Sequence, residues 1–135
     1  MRFSDAVKAR LTGDAVIRRA AGMIDWTLIL TALPAITLQI VFDSRPQHLK
    51  GFVSVRPTTV QVDVWADDAA TAEGLRDLCI ALLVQSAIVD DVQFQRATID
   101  RVAGGPEREQ PGAPQRQRGQ MFRYSFDITF NHNAS

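Results

Sequence analysis

Phe122-Arg123-Tyr124-Ser125-Phe126-Asp127-Ile128-Thr129-Phe130-Asn131 is the stretch that decides how this chain folds. Phe122, Tyr124, Phe126, Ile128 and Phe130 occupy every second position, with Arg123, Ser125, Asp127, Thr129 and Asn131 between them. A period of two places the aromatic and aliphatic groups on one face of an extended strand and the polar groups on the other. Such a strand needs neighbours that share its apolar face and a layer that covers it.

Neighbours of the same pattern lie upstream. Ile36, Leu38, Ile40 and Phe42 alternate with Thr37, Gln39 and Val41 just after Pro34. Val60, Val62 and Val64 alternate with Thr59, Gln61, Asp63 and Trp65. Val92 and Phe94 share a face at the start of a third run that extends to Val102, and Ile24-Asp25-Trp26 reads as a short extra strand. The covering layer is helical. Ser4 or Asp5 can cap a first helix with Val7 and Leu11 on one face, and Thr12-Gly13 breaks it. Asp14 can cap a second, shorter helix through Val16, Ile17 and Ala20, which Gly22 closes. Asp67-Asp68 precede the clearest helix, whose Leu75, Leu78, Cys79 and Leu82 recur at helical spacing. Ile80, Leu83, Val84 and Ala87 add a second apolar line, so the end of this helix calls for burial from more than one side.

Long polar segments, not helices, join the strand pairs, which favours antiparallel pairing over crossovers. The expected fold is α+β: a mostly antiparallel four- to five-stranded sheet with helices packed on one face. Its expected core is Leu38, Ile40, Val62, Val64, Leu78, Leu82, Phe126 and Ile128. The 135 residues fit one domain, 1–135, with long loops at about 43–57 and 104–120. The second loop is rich in glycine, proline, glutamine and arginine and reads as mobile surface chain.

Composition narrows function chiefly by exclusion. Hydrophobic residues are 46% and charged residues 22%, an ordinary globular mixture. Fifteen basic side chains balance fifteen acidic ones, which argues against a simple polybasic nucleic-acid binder. The lone Cys79 leaves no internal disulfide and no multi-cysteine zinc site, and on the apolar helix stripe it reads as a structural thiol. His48 and His132 lie far apart in sequence, and His132 reads as a solvated residue past the last strand, so no metal site is expected. Neither GxxxxGK[ST] nor GxGxxG occurs, and the Asp67-Asp68 and Asp90-Asp91 doublets read as caps and turn residues. No cofactor and no enzyme activity are expected. The start of the chain lacks the apolar core of a signal peptide, and 28–42 is too short and too interrupted to span a bilayer. The expectation is cytoplasmic synthesis without a membrane.

Charge is balanced overall but segregated along the chain. Residues 1–60 carry eight basic and four acidic side chains, whereas 61–100 carry two and eight. Separated patches of opposite sign suit head-to-tail contacts between copies. A basic surface from Arg45, Lys50 and Arg56, with His48 in the same loop, is expected to meet an acidic surface from Asp67, Asp68 and Glu73. Arg108, Arg116 and Arg118 place further interface candidates in the second loop.

The order of these segments resembles a known family. The opening Val7-Lys8-Ala9-Arg10-Leu11-Thr12-Gly13-Asp14-Ala15-Val16, the Leu33-Pro34-Ala35-Ile36-Thr37-Leu38-Gln39 strand and the Val60-Gln61-Val62-Asp63-Val64-Trp65-Ala66 strand are similar to segments of small phage tail-completion or tail-terminator proteins, including those of gene transfer agents. The closing Tyr124-Ser125-Phe126-Asp127-Ile128-Thr129-Phe130 completes the likeness, which covers nearly the whole chain. It implies a non-enzymatic virion-assembly subunit of a ring, expected to be a hexamer, at the head-proximal end of a tail tube. The ring would end tube polymerisation and join the tail to the head. The implied partners are further copies of the chain, the tail tube protein and the head-tail connector or stopper, with DNA only as cargo through the lumen. The implied location is a virion or phage-like particle assembled in a bacterial cytoplasm. A neck protein of the same particle and a small-molecule-binding α+β regulatory domain are the alternatives.

Overall fold

The computed structural model describes residues 1–27, 29–43, 47–48, 51–52, 55–107 and 121–134. Two helices open the chain, α1 (Phe3–Thr12) and α2 (Ala15–Ala20), and a third, α3 (Ala69–Leu83), lies in its middle. Asp14 accepts hydrogen bonds from the Val16 and Ile17 N–H groups and so caps α2 as its position predicts. Asp68 does the same for α3 through the Thr71 N–H. α1 starts earlier than expected. Arg2 is its cap residue and makes no side-chain capping bond, so Ser4 and Asp5 lie inside the first turn.

Seven strands form one sheet: β1 (Met23–Asp25), β2 (Ala35–Asp43), β5 (Arg56–Ala66), β6 (Ala87–Val89), β7 (Val92–Phe94), β8 (Thr98–Glu107) and β9 (Met121–His132). β3 (Gln47–His48) and β4 (Gly51–Phe52) form a separate two-stranded ribbon within the arm between β2 and β5. The main order is β1-β2-β5-β9-β7-β6, with β8 also paired to β9. The sheet is therefore larger than the four or five strands expected, and it is mixed, because β1 runs parallel to β2. Two physical reasons account for the difference. The single run read over 92–102 is two strands, β7 and β8, separated at Gln95–Ala97. Asp90-Asp91 form the two-residue turn of an additional β6–β7 hairpin, with Asp90 at φ 51°, a left-handed conformation that Asp tolerates.

Gly104 corrects the second loop boundary. It lies within β8, opposite Tyr124, and the Tyr124 ring crosses so close above it that a Cβ would collide with the ring. Glycine is here a condition of close packing rather than the start of a loop. Strand structure continues to Glu107, and the remaining 108–120 lies outside the described residues.

One parity of the long strands enters the buried cluster. Ile36 and Leu38 of β2, Val60, Val62 and Val64 of β5, and Phe126, Ile128 and Phe130 of β9 share a buried cluster with Phe3, Val7, Leu11, Ile17, Leu75, Cys79 and Leu83. The register explains this: Leu38, Val62 and Phe126 form one rung across three strands, and Ile40, Val60 and Ile128 the next. Two expected core residues are not core. Ile40 is 44% exposed at the sheet margin, and Leu78 is 41% exposed because the buried line of α3 is Ala72, Leu75, Cys79 and Leu83, one position round the helix. Leu82 is only partly buried.

Candidate assembly surfaces

The opposite parity of the sheet is polar and tied together by its own side chains. The Trp65 indole N–H donates to Thr37 Oγ1 at 3.0 Å, and the Arg123 guanidinium lies over the Trp65 ring. Gln61 donates to both Asp63 oxygens, and Arg101 pairs with Asp127 at 3.0 Å. The Thr59 and Thr129 hydroxyls are 2.8 Å apart, and Thr129 donates onward to Asp100. Asp63 is buried, and desolvation raises its pKa despite the Gln61 bond and the nearby arginines. This network is sheet cross-bracing. It presents no nucleophile beside a base and no open acid–base pair.

Arg10 lies on the apolar stripe of α1, between Val7 and Leu11, and is buried. Its Nη2 donates to the Leu82 and Gln85 carbonyls at 3.0 and 2.8 Å, closing the C-terminal end of α3, and its guanidinium lies over the Phe94 ring. A charge on an apolar stripe was the available sequence signal for such an anchor.

His132 is the clearest correction among the titratable groups. It is fully buried rather than solvated, and its ring stacks on Phe3 with centroids 4.3 Å apart. The alternation of β9 carries one step beyond Phe130 and puts His132 on the core face, a parity legible in the sequence. Its Nδ1 accepts from the Ala134 N–H, which leaves the proton on Nε2, 2.7 Å from Thr58 Oγ1. Thr58 in turn donates to Asp43 at 3.0 Å, and Arg56 approaches the same carboxylate at 3.9 Å. Burial first, then the Arg56 charge, pulls the His132 pKa down to about 4, so the imidazole is neutral near neutral pH. The hydroxyl is the buried middle of this chain, and the set joins the ends of β2 and β9 through the start of β5.

The expected interface residues fall into three groups. Arg45, Lys50, Arg108, Arg116 and Arg118 lie outside the described residues, and His48 is described by its backbone in β3. Arg56 is half-buried beside Asp43 at the arm base. Asp67, Asp68 and Glu73 are exposed at the start of α3, where the Thr71 hydroxyl and N–H hold the Asp68 carboxyl below its ordinary pKa and Glu73 pairs with Arg76 at 3.9 Å. Arg56 and Ala66 are the two ends of β5, whose 11 residues span about 35 Å at strand rise. Arg56 and the acidic group therefore occupy opposite ends of the sheet.

Cys79 is buried, and burial pushes its thiol up to about 12. No group of three His, Cys, Asp or Glu side chains suited to a metal exists among the described residues. No helix among them is long and apolar enough to cross a membrane. A cleft of about 160 Å³ between Leu33, Pro34, Ala66, Asp67, Asp68 and Thr71 is open to solvent and below the roughly 300–1,000 Å³ usual for small-molecule sites.

A solved structure has this arrangement of elements from end to end. A chain from the "Virion of native gene transfer agent (GTA) particle" superimposes with a TM-score of 0.67 at 14% identity, over 98% of this chain and 96% of that one. The two chains are similar in fold. No protein-family model matches the sequence, and no curated protein is significantly similar to it.

Proposed function

We propose that this chain is a non-enzymatic structural component of a virion or phage-like particle: a subunit of a ring at the head-proximal end of the tail tube. In this reading the ring ends tube polymerisation and joins the tail to the head connector, with DNA passing through the lumen. The observation that carries the proposal is the end-to-end fold likeness to a chain of a gene transfer agent particle, with almost no residue of either chain outside it. The order of segments that resembles tail-terminator proteins favours the same reading.

The positions of the charged groups refine it. Arg56 opens β5, and Asp67, Asp68 and Glu73 follow its other end. Groups so far apart suit two unlike docking faces, one for the tube and one for the connector, better than a side-by-side contact. Rim charges of this kind set encounter rate and register. The test is assembly. The purified chain, viewed by mass photometry and electron microscopy, should give closed rings of one size, and added to polymerising tail tubes it should cap them. A chain that stays monomeric and leaves tube length unchanged overturns the proposal.

A further inference from the structure

The two long sides of the sheet have no role in the structure as described. β1 flanks β2 only at Ala35, Ile36 and Thr37, and from Leu38 to Phe42 no described strand pairs with its outer side. Across the sheet, β8 pairs with β9 and with no other described strand. Free edges present rows of backbone N–H and C=O groups, and another strand is what satisfies such a row. Both edges also carry large exposed apolar side chains: Ile40, Val41 and Phe42 at 44, 47 and 63%, and Val102 at 50%.

We propose that the Leu38–Phe42 edge of β2 pairs with the β8 edge of a second copy of this chain, head to tail. This rests on the ring reading and names the contact between neighbouring subunits. The two edges are unlike, so their pairing repeats around an axis and closes into a ring rather than stopping at a two-fold dimer. Strand direction fits. β2 is antiparallel to β5, β5 to β9 and β9 to β8, so β2 and β8 run oppositely, and a copy rotated about an axis along the strands sets them antiparallel. The apolar face fits as well. Val102 lies on the rung of Phe126, Val62 and Leu38, and Ile40 on the neighbouring rung, so the same face reaches solvent at both margins. Joining the margins continues that face from copy to copy. A bulge on each edge, at Ile40/Phe42 and at Ile99/Arg101, hinders pairing with an arbitrary strand.

The experiment is cross-linking of the full chain carrying both Ile40→Cys and Val102→Cys with a short bismaleimide, which tolerates a small offset in register. Cys79 is fully buried, and the parent chain controls for it. The double variant should give a ladder of covalent multimers ending at the ring mass, and neither single variant should. Covalent dimers from Ile40→Cys alone would mean two-fold edge pairing and overturn the head-to-tail contact. Rings without a ladder overturn the edge contact and leave the ring reading standing. A parent chain that stays monomeric and gives no ladder overturns both. Val41→Lys with Phe42→Lys, and separately Val102→Lys, should abolish the ring peak in mass photometry while the melting midpoint of the subunit holds. Persistence of rings in these folded variants also overturns the contact.

Discussion

The two halves of β2 are built from similar residues and end in opposite environments. Ala35, Ile36, Thr37 and Leu38 are at most 3% exposed, while every residue from Gln39 to Asp43 is exposed and Phe42 reaches 63%. Hydrophobicity does not separate them, since Ile40, Val41 and Phe42 are as apolar as Ile36 and Leu38. Neighbours do. Ala35, Ile36 and Thr37 lie between β1 and β5, and Ile36 and Leu38 share the core with the helices, whereas the second half has β5 on one side and no described strand on the other. The first half behaves as core of the subunit, and the second has the character of an interface before its partner arrives.

The largest expected effect breaks the first half. Phe126, on the rung of Leu38 and Val62, is fully buried, and Phe126→Ala should cost about 3–5 kcal/mol in chemical denaturation. A near-parental midpoint would show that the rung is not central to the core. A second, smaller effect tests the joint between the regions, where Asp43 ends β2 and His132 holds Thr58 against it. The unfolded chain takes up a proton on His132 near pH 6.5, but the folded chain resists until about pH 4. The unfolded state thus binds more protons in that window. The stability contribution is intact above about pH 6.5 and is lost as pH falls towards 4, by on the order of 3 kcal/mol. His132→Gln should flatten the profile there, and an unchanged slope would assign it to other groups. The smallest effect belongs to the outer half. Phe42→Ser should change subunit stability by less than about 0.5 kcal/mol, since the side chain is already largely in water. A loss of several kcal/mol would make the outer half part of the subunit's own core after all.

Much of this was legible in the residues. The alternation in 36–40, 60–65 and 122–130 located the three long strands and their shared face, which a bulge after Ile40 breaks by pairing Phe42 with Thr59, and Asp14 and Asp68 marked two helix starts. Arg10 and His132 were legible in principle, because each occupies a position that the local period assigns to the core. Asp63 was not. It lies on the polar parity of β5, where nothing in the sequence distinguishes a solvated carboxylate from a buried one held by Gln61 near the arginines across the sheet. Gly104 likewise reads as a loop residue until Tyr124 is found lying across it.

The sequence by itself determined which side chains share a face, because strand and helix periods are local properties of the backbone. It also determined where helices begin, since a cap acts within one turn. Only the tertiary structure decided which apolar faces are covered. β1 adds in parallel beside the first three residues of β2, β8 doubles back along β9, and α3 is turned so that Leu78 faces out. Each of these is a contact between residues distant in sequence, and its energy depends on a neighbour that no local pattern encodes. The same apolar residue becomes core or docking edge according to what the rest of the chain places beside it.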